Sequence, residues 1–81
     1  KFYAEQVEVS GPPKVIGDGS HIRFTAKQNG SAYNAVGFNL SEHYEDLITG
    51  NPVDLAFVVE INEWNNQRDI QLNVRDIRPS S

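Results

Sequence analysis

The stretch that determines the fold class is HIRFTAKQNGSAYNAVGFNL, residues 21–40. Apolar and polar side chains alternate through its first seven residues, which is the period of a half-buried β-strand. Asn29-Gly30 follows, and this pair suits a two-residue type I′ turn because both of its central positions need a positive φ. The stretch therefore predicts two antiparallel strands joined by a tight turn.

The same alternation assigns the side chains of this hairpin to two faces. The residues predicted to face the core are Ile22, Phe24, Ala26, Val36, Phe38 and Leu40. The residues predicted to face outward from the first strand are His21, Arg23, Thr25 and Lys27. Tyr33 has the opposite parity from Val36 and is therefore predicted to face outward from the second strand, residues 32–40.

The flanking sequence adds three strands and one short helix. Further alternating segments predict strands over 4–16, 53–61 and 70–75. The first of these is interrupted at Ser10-Gly11-Pro12-Pro13, because proline cannot donate a hydrogen bond to a neighbouring strand. Ser41 is a plausible N-cap for a helix over 41–48, and Pro52 prevents its continuation. Residues 63–67 are predicted to form a loop.

The predicted order is β-β-β-α-β-β, with the helix between the third and fourth strands. This is the order of the five-stranded oligonucleotide/oligosaccharide-binding (OB) barrel, an all-β fold in which closure of the sheet leaves no exposed edge. An open β-sandwich and an SH3-like barrel are the alternatives, and the position of the helix disfavours both. A length of 81 residues predicts one domain over 1–81 with one compact core.

Composition narrows the classes of protein further. The chain has no cysteine, which excludes disulfides and thiolate metal sites. No apolar run reaches the roughly 18 residues of a membrane helix, and residues 1–5 have no apolar signal-peptide region. We therefore expect a cytoplasmic domain without a membrane partner. The chain does not begin with methionine, so we expect a domain excised from a larger protein.

The net charge of −4 is unevenly distributed. Residues 41–67 contain six acidic side chains and no lysine or arginine, whereas residues 14–40 carry a net charge of +2. An acidic total argues against nucleic-acid binding, which usually requires a basic surface. A mildly positive face is predicted if residues 14–40 and 68–78 meet in space, and ordinary surface charge is the alternative.

The residue pattern predicts no catalytic, metal or cofactor site in this domain. His21 and His43 lie on different elements, and neither has a metal-ligating partner four residues away. No nucleophile elbow, phosphate-binding loop or dinucleotide-binding motif is present. Asp54, Glu60 and Glu63 lie along one predicted strand and its exit, where a solvated outer face is expected. We therefore do not expect the domain to be an enzyme by itself.

Binding to single-stranded nucleic acid is the better-supported function. Such binders combine a positive groove with aromatic rings on which bases stack, and OB barrels usually use strands 2 and 3 with two adjoining loops. The candidate nucleic-acid-binding residues are His21, Arg23, Lys27, Tyr33, Trp64, Arg68 and Arg75. Two alternatives stay open: Trp64 could cover the barrel as a lid, and Arg23 and Lys27 could pair with acidic neighbours.

Three runs carry a family resemblance: NAVGFNL at 34–40, VDLAFVVEINEWN at 53–65 and IQLNVRDIR at 70–78. They resemble the C-terminal OB domain of the RecJ family of single-strand-specific DNA exonucleases. HIRF, residues 21–24, resembles the second strand of that family. The resemblance extends over residues 5–78, which is almost the whole chain.

The resemblance implies a parent enzyme that degrades single-stranded DNA from the 5′ end in DNA repair and recombination. It implies Mg or Mn held by aspartates and histidines of DHH-type catalytic domains, whose motifs are absent here. This domain would hold single-stranded DNA, with those catalytic domains as its partners in the parent chain. The alternative is a structural or docking barrel that braces the nuclease domains or meets another protein. A free oligosaccharide binder has only Trp64 and Tyr33 in its favour.

Overall fold

The computed structural model describes residues 1–80, which form a closed barrel of five strands. The strands are β1 (Phe2–Ile16), β2 (His21–Gln28), β3 (Ser31–Gly37), β4 (Val53–Trp64) and β5 (Gln67–Pro79). Between β3 and β4 lie a 3₁₀ turn (Ser41–His43) and the helix α1 (Tyr44–Ile48). The strands pair in the order β1-β2-β3-β5-β4, so the predicted OB barrel with its helix between strands 3 and 4 is confirmed.

Closure depends on a bend in β1 and on one parallel ladder. The first part of β1 pairs with β4, and residues from Glu8 onward pair with β2. The register shifts between Ser10 and Lys14, where the sequence predicts an interruption. Residues 34–37 of β3 pair with residues 71–74 of β5 in parallel, which completes the ring.

The core contains the inner row predicted for β2. Ile22, Phe24 and Ala26 are each no more than 3% exposed. Asn29 and Gly30 have positive φ values of 54° and 82°, as the predicted hairpin turn requires. The helix α1 adds Leu47, which is buried in the same cluster. Local alternation and turn chemistry therefore position this part of the barrel correctly.

The faces predicted for β3 were wrong. The register pairs Tyr33 with Ala26 and Gly37 with Ile22, so the inward positions are 33, 35 and 37. Leu40 returns to the core after the strand ends, as predicted, and a Cβ on Gly37 would lie only 2.9 Å from its Cδ1. The two-residue turn pairs Gln28 with Ser31, so the odd-numbered residues of β3 lie opposite the inner row of β2, and Gly37 leaves space for Leu40.

This inversion places Val36 and Phe38 outside the core cluster. Val36 pairs with Arg23 and is still buried, whereas Phe38 follows the end of β3 and is 52% exposed. The predicted burial of Val36 is therefore confirmed, although it lies on the other side of β3, whereas the predicted core position of Phe38 is wrong.

The loop predicted at residues 63–67 is a tight turn between two strands. Asn65 and Asn66 alone form the turn, with φ values of 48° and 64°. Asparagine tolerates this left-handed conformation better than most residues do, because its short polar side chain can hydrogen-bond locally. The strands therefore reach Trp64 and Gln67, and residues 61–70 are all exposed on the resulting hairpin.

The two ends of the barrel differ. The turn at residues 17–20 and α1 lie at one end, where the Ser41 N–H donates to the Ser20 carbonyl at 3.1 Å. The strand directions place the starts of β1, β3 and β5 at the other end, together with the β4–β5 hairpin. An apolar cavity of about 380 Å³ opens there. We call this cavity the apolar mouth; its lining includes Phe2, Tyr33, Phe57, Val59, Ile70 and Leu72.

Asp54 links the bend of β1 to the end of the described chain. Its Oδ1 accepts hydrogen bonds from the Ser80 hydroxyl and from the Gln6 N–H, the latter at 3.0 Å. These two bonds lower the pKa of Asp54 below its ordinary value of 3.8, and the bond from Ser80 has the larger effect. A carboxylate with a lowered pKa stabilises the fold above its unfolded-state pKa, and this contribution disappears as the pH falls through the folded-state value.

We expect Asp54→Asn to lower the melting temperature at pH 7 because it removes the charge from both hydrogen bonds. The difference from the unsubstituted domain should begin to narrow as the pH falls below 3.8, where the unfolded-state carboxyl takes up a proton, and should disappear below the lower folded-state pKa, where Asp54 itself becomes neutral. Thermal unfolding followed by circular dichroism at pH 7 and pH 3 measures both values. Asp69→Asn is the control, because Asp69 is exposed and has no side-chain partner among residues 1–80. A difference that widens in acid would contradict the assignment.

Candidate nucleic-acid interface

One side of the barrel carries a continuous polar surface across β1, β2, β3 and β5. The strand register places Arg23 between Lys14 and Val36, and places Asn73 beside Val36. A second row joins Thr25 to Asn34 and Asn34 to Gln71. We call this surface the outer face; its members are Lys14, Arg23, Thr25, Lys27, Asn34, Gln71 and Asn73, with the buried Val36 beneath them.

Arg23 and Lys27 are exposed on the outer face, as the alternation of β2 predicts. Within the described residues, neither of them forms the ion pair with an acidic neighbour that the alternative requires. The register neighbour of Arg23 on β1 is Lys14, another cation. Lys27 lies opposite Glu8 in the register, yet neither of these residues forms an ion pair within residues 1–80. Three cations are therefore free to meet an anionic ligand.

Sequence reasoning missed four polar members of this surface: Lys14, Asn34, Gln71 and Asn73. Lys14 follows the interruption in β1, and its place beside Arg23 depends on the register shift there. The three amide side chains come together only through the parallel pairing of β3 with β5. The sequence does show that these side chains lie on the polar side of their strands, but the alternation within one strand does not show which strands are neighbours.

His21 lies at the end of the outer face but is occupied by the protein itself. Its Nδ1 accepts the N–H of Asn39 at 3.0 Å and lies 3.4 Å from the Ser20 hydroxyl. Its ring meets the Phe38 ring at a centroid distance of 5.2 Å and an interplanar angle of 73°. His21 therefore organises the segment after β3, and its Nδ1 is not available to a phosphate.

Arg75 extends the outer face along β5 beyond Asn73. The ladder with β4 shifts register between Ala56 and Phe57, so Arg75 is the extra residue of a β-bulge. It is exposed, and no ion pair within residues 1–80 involves it. Gly37 pairs with Val74 in parallel, so Phe38 and Arg75 are the residues that follow this pair on the two segments. Phe38 is the exposed aromatic residue that sequence reasoning placed in the core.

Trp64 and Arg68 lie on opposite faces of the β4–β5 hairpin. Trp64 pairs with Gln67 and shares the parity of Glu60, whose carboxylate accepts a hydrogen bond from Asn73 on the outer face at 3.3 Å. Trp64 is 48% exposed and does not line the apolar mouth, so it is not a lid on the barrel. Arg68 projects from the other face and pairs with Glu63 at 2.8 Å.

Tyr33 is separated from the other candidate residues. It pairs with Ala26 on the inward side and lines the apolar mouth, with 40% of its surface exposed. The prediction that Tyr33 faces outward beside Arg23 and Lys27 was therefore wrong, because the inward and outward faces of β3 are the reverse of those predicted. Of the predicted residues, Arg23, Lys27, Arg75 and Trp64 lie on the side of the outer face, with Trp64 at the hairpin end of the β4–β5 ladder and Arg75 at its bulge.

One carboxylate lies close to the His21 end of the outer face. Asp18 accepts hydrogen bonds from the hydroxyl and the N–H of Ser20, and these bonds lower its pKa below the ordinary value of 3.8. The carboxylate is therefore charged at neutral pH and engaged within its own turn. Within residues 1–80, no three histidine or acidic side chains gather as metal ligands, and no helix is long and apolar enough to cross a membrane.

Comparison with known proteins identifies the domain. A family model described as the RecJ OB domain matches residues 1–76. The chain belongs to the RecJ OB domain family. It is 32% identical over 63 residues to the single-stranded-DNA-specific exonuclease RecJ of Bacillus subtilis (strain 168). That match covers 78% of this RecJ OB domain and 8% of the B. subtilis protein, so the chain spans only a small part of its relative.

Proposed function

We propose that this RecJ OB domain holds single-stranded DNA on its outer face for a 5′-3′ exonuclease that acts in DNA repair and recombination. The observation that carries the proposal is the set of free cations on one side of the barrel: Lys14, Arg23, Lys27 and Arg75. Cations without protein partners attract phosphates, because their binding releases the counterions condensed on the nucleic acid.

The amide side chains between these cations suit the rest of a DNA strand. Asn34, Gln71 and Asn73 can donate and accept hydrogen bonds, so they can contact the edges of unpaired bases or the sugar-phosphate backbone. Trp64 extends the same side along the hairpin and can stack on a base. The combination of point charges, amides and an aromatic ring favours an unpaired strand over a duplex, whose bases are not accessible.

Part of the acidic charge lies off the outer face, although Glu8 lies opposite Lys27 in the register. Glu42, Glu45 and Asp46 belong to the 3₁₀ turn and α1, at the end of the barrel. Glu60 is the acidic residue nearest the amides, and Asn73 donates a hydrogen bond to it. The charge does limit affinity, so we expect the other domains of the parent to contribute through effective concentration.

The test is a fluorescence-anisotropy titration of the domain with labelled oligo-dT and with duplex DNA, at several salt concentrations. We expect single-strand binding whose log K falls with log [salt] at a slope of about −2 to −3, for three to four phosphate contacts on a single strand. The domain alone should leave the oligonucleotide uncut when Mg or Mn is added, because we assign the metal chemistry to the catalytic domains. Absence of binding at the lowest salt would refute the proposal.

The apolar mouth favours a second candidate function, docking onto the catalytic domains of the parent chain. Its lining includes Phe2 at 57% and Ile70 at 45% exposure, and Ile61, which pairs with Ile70, is 56% exposed. Contiguous apolar surface of this kind commonly marks a protein contact. Docking would persist at high salt, whereas phosphate binding weakens. Ile61→Ser and Ile70→Ser in the full-length parent should then lower nuclease activity, while oligo-dT binding by the isolated domain stays unchanged.

A further inference from the structure

Phe38 is an exposed aromatic ring at the edge of a basic surface. It follows the last residue of β3 and is 52% exposed. The pairing of Gly37 with Ile22 on one side and with Val74 on the other places position 38 between His21 and Arg75. Arg23 lies in the neighbouring row of the outer face. Neither Arg23 nor Arg75 has an ion-pair partner within residues 1–80.

The backbone around Phe38 is fixed on both sides. On one side, Gly37 packs so closely under Leu40 that a Cβ would lie 2.9 Å from the Leu40 Cδ1. On the other side, Asn39 has a φ of 61° and donates its N–H to the His21 Nδ1 at 3.0 Å. The segment therefore has little freedom to move the ring away from its position.

The ring of Phe38 is also oriented by His21. The two rings meet at 5.2 Å with an interplanar angle of 73°, an edge-to-face arrangement. His21 is in turn confined by Gly17, at which a Cβ would lie 2.8 Å from the His21 Cδ2. A ring held in place before binding loses little conformational freedom when a ligand stacks on it, and this raises affinity.

We propose that Phe38 is a base-stacking residue of the single-stranded-DNA site and that His21 is its positioning residue. The proposal rests on the proposed function and deepens it. A nucleobase lies against the free face of the Phe38 ring, while Arg75 and Arg23 contact the flanking phosphates. Aromatic stacking accepts every base, which suits an enzyme that must process strands of any sequence.

The decisive variant is Phe38→Leu, which removes the ring and keeps an apolar side chain. We expect the affinity for oligo-dT to fall about tenfold, the lower-middle part of the range for one stacked base. The salt slope should not change, because no phosphate contact is lost. The affinity for an abasic oligonucleotide of the same length should not change either. Phe38→Trp should bind oligo-dT as well as the unsubstituted domain does.

Tyr44→Leu is the matched control, since Tyr44 is an exposed aromatic residue on α1 at 36% exposure. We expect it to bind oligo-dT normally. If Phe38→Leu also binds normally while Arg23→Ala binds weakly, the stacking proposal is wrong and the outer face still holds DNA. If the unsubstituted domain fails to bind oligo-dT at the lowest salt, the proposed function fails with it.

The role of His21 is tested by a double-mutant cycle with Phe38. If His21 acts by positioning the ring, His21→Ala should weaken oligo-dT binding, leave the salt slope unchanged and add little to Phe38→Leu. His21→Asn should restore part of the affinity, because its Oδ1 can accept the Asn39 N–H in place of Nδ1. A reduced salt slope, or a loss that adds fully to that of Phe38→Leu, would instead identify His21 as a phosphate contact and overturn its positioning role.

Discussion

Replacement of both Lys14 and Arg23 by glutamate is expected to lower the affinity for oligo-dT about 100-fold at low salt. The two cations are register neighbours at the centre of the outer face, and neither has an acidic partner within residues 1–80. Each lost charge-assisted contact costs about 1.5 kcal/mol or more, which together gives a loss of this order. The salt slope should become shallower by about 1.4, because each single-strand phosphate contact contributes about 0.7. Anisotropy titration over a range of salt concentrations measures both quantities.

The control for this experiment changes the net charge equally at another place. Lys1→Glu combined with Arg78→Glu makes the same change, and Arg78 lies on β5 opposite Asp54, away from the outer face. We expect the affinity of this control for oligo-dT to fall by less than about threefold, since exposed charges at a distance are screened. Equal losses in the two double variants would mean that total charge, and not the outer face, determines binding. Circular dichroism confirms that each variant remains folded.

Ile22→Ala is expected to have the largest effect on stability. Ile22 is fully buried at 0% exposure, and its Cγ2 would lie 3.4 Å from a Cβ on Gly37. Truncation of a buried isoleucine to alanine costs about 2–5 kcal/mol, because the barrel cannot collapse fully around the cavity. The free energy of unfolding of a small domain is only about 5–15 kcal/mol in total. Urea denaturation should therefore give a much lower midpoint with an unchanged slope.

Val15→Ala provides the comparison at the same place in the β1–β2 ladder. Val15 pairs directly with Ile22 but is 47% exposed. Its truncation should cost less than about 1 kcal/mol, as most partly exposed substitutions do. Similar losses for the two variants would contradict the view that burial around Ile22, and not strand pairing alone, stabilises the barrel.

The parts of the fold that sequence predicts correctly are those encoded by neighbouring residues. The alternation of Ile22, Phe24 and Ala26 gives the inner row of β2, and Asn29-Gly30 gives the turn that follows. Proline residues mark the interruption of β1. Each of these signals acts over a few residues, so a strand period or a turn preference is sufficient to read it.

The features that sequence reasoning missed depend on contacts between distant residues. The faces of β3 follow from its register with β2, in which positions 33, 35 and 37 lie opposite the inner row Ala26, Phe24 and Ile22. Phe38 follows the end of β3 and is exposed, although its spacing is that of a core residue. The bulge at Arg75 likewise follows from the register with β4. Strand parity gives two alternatives, and the register with the neighbouring strand selects between them.

The parallel ladder between β3 and β5 also has a consequence for the order of folding. It joins four residue pairs, 34–37 with 71–74, and the β1–β4 ladder also joins four, whereas the other neighbouring strands are consecutive in the chain. Pairing between segments far apart in sequence pays a loop-closure cost before it gains stability, so these two ladders should form after the hairpins. Both ladders should open first in local unfolding, with the amides that bond across them exchanging before those of the β2–β3 hairpin. A DNA strand lying across Asn34 and Asn73 would bridge the β3–β5 ladder, and slower hydrogen exchange there would report occupancy of the outer face.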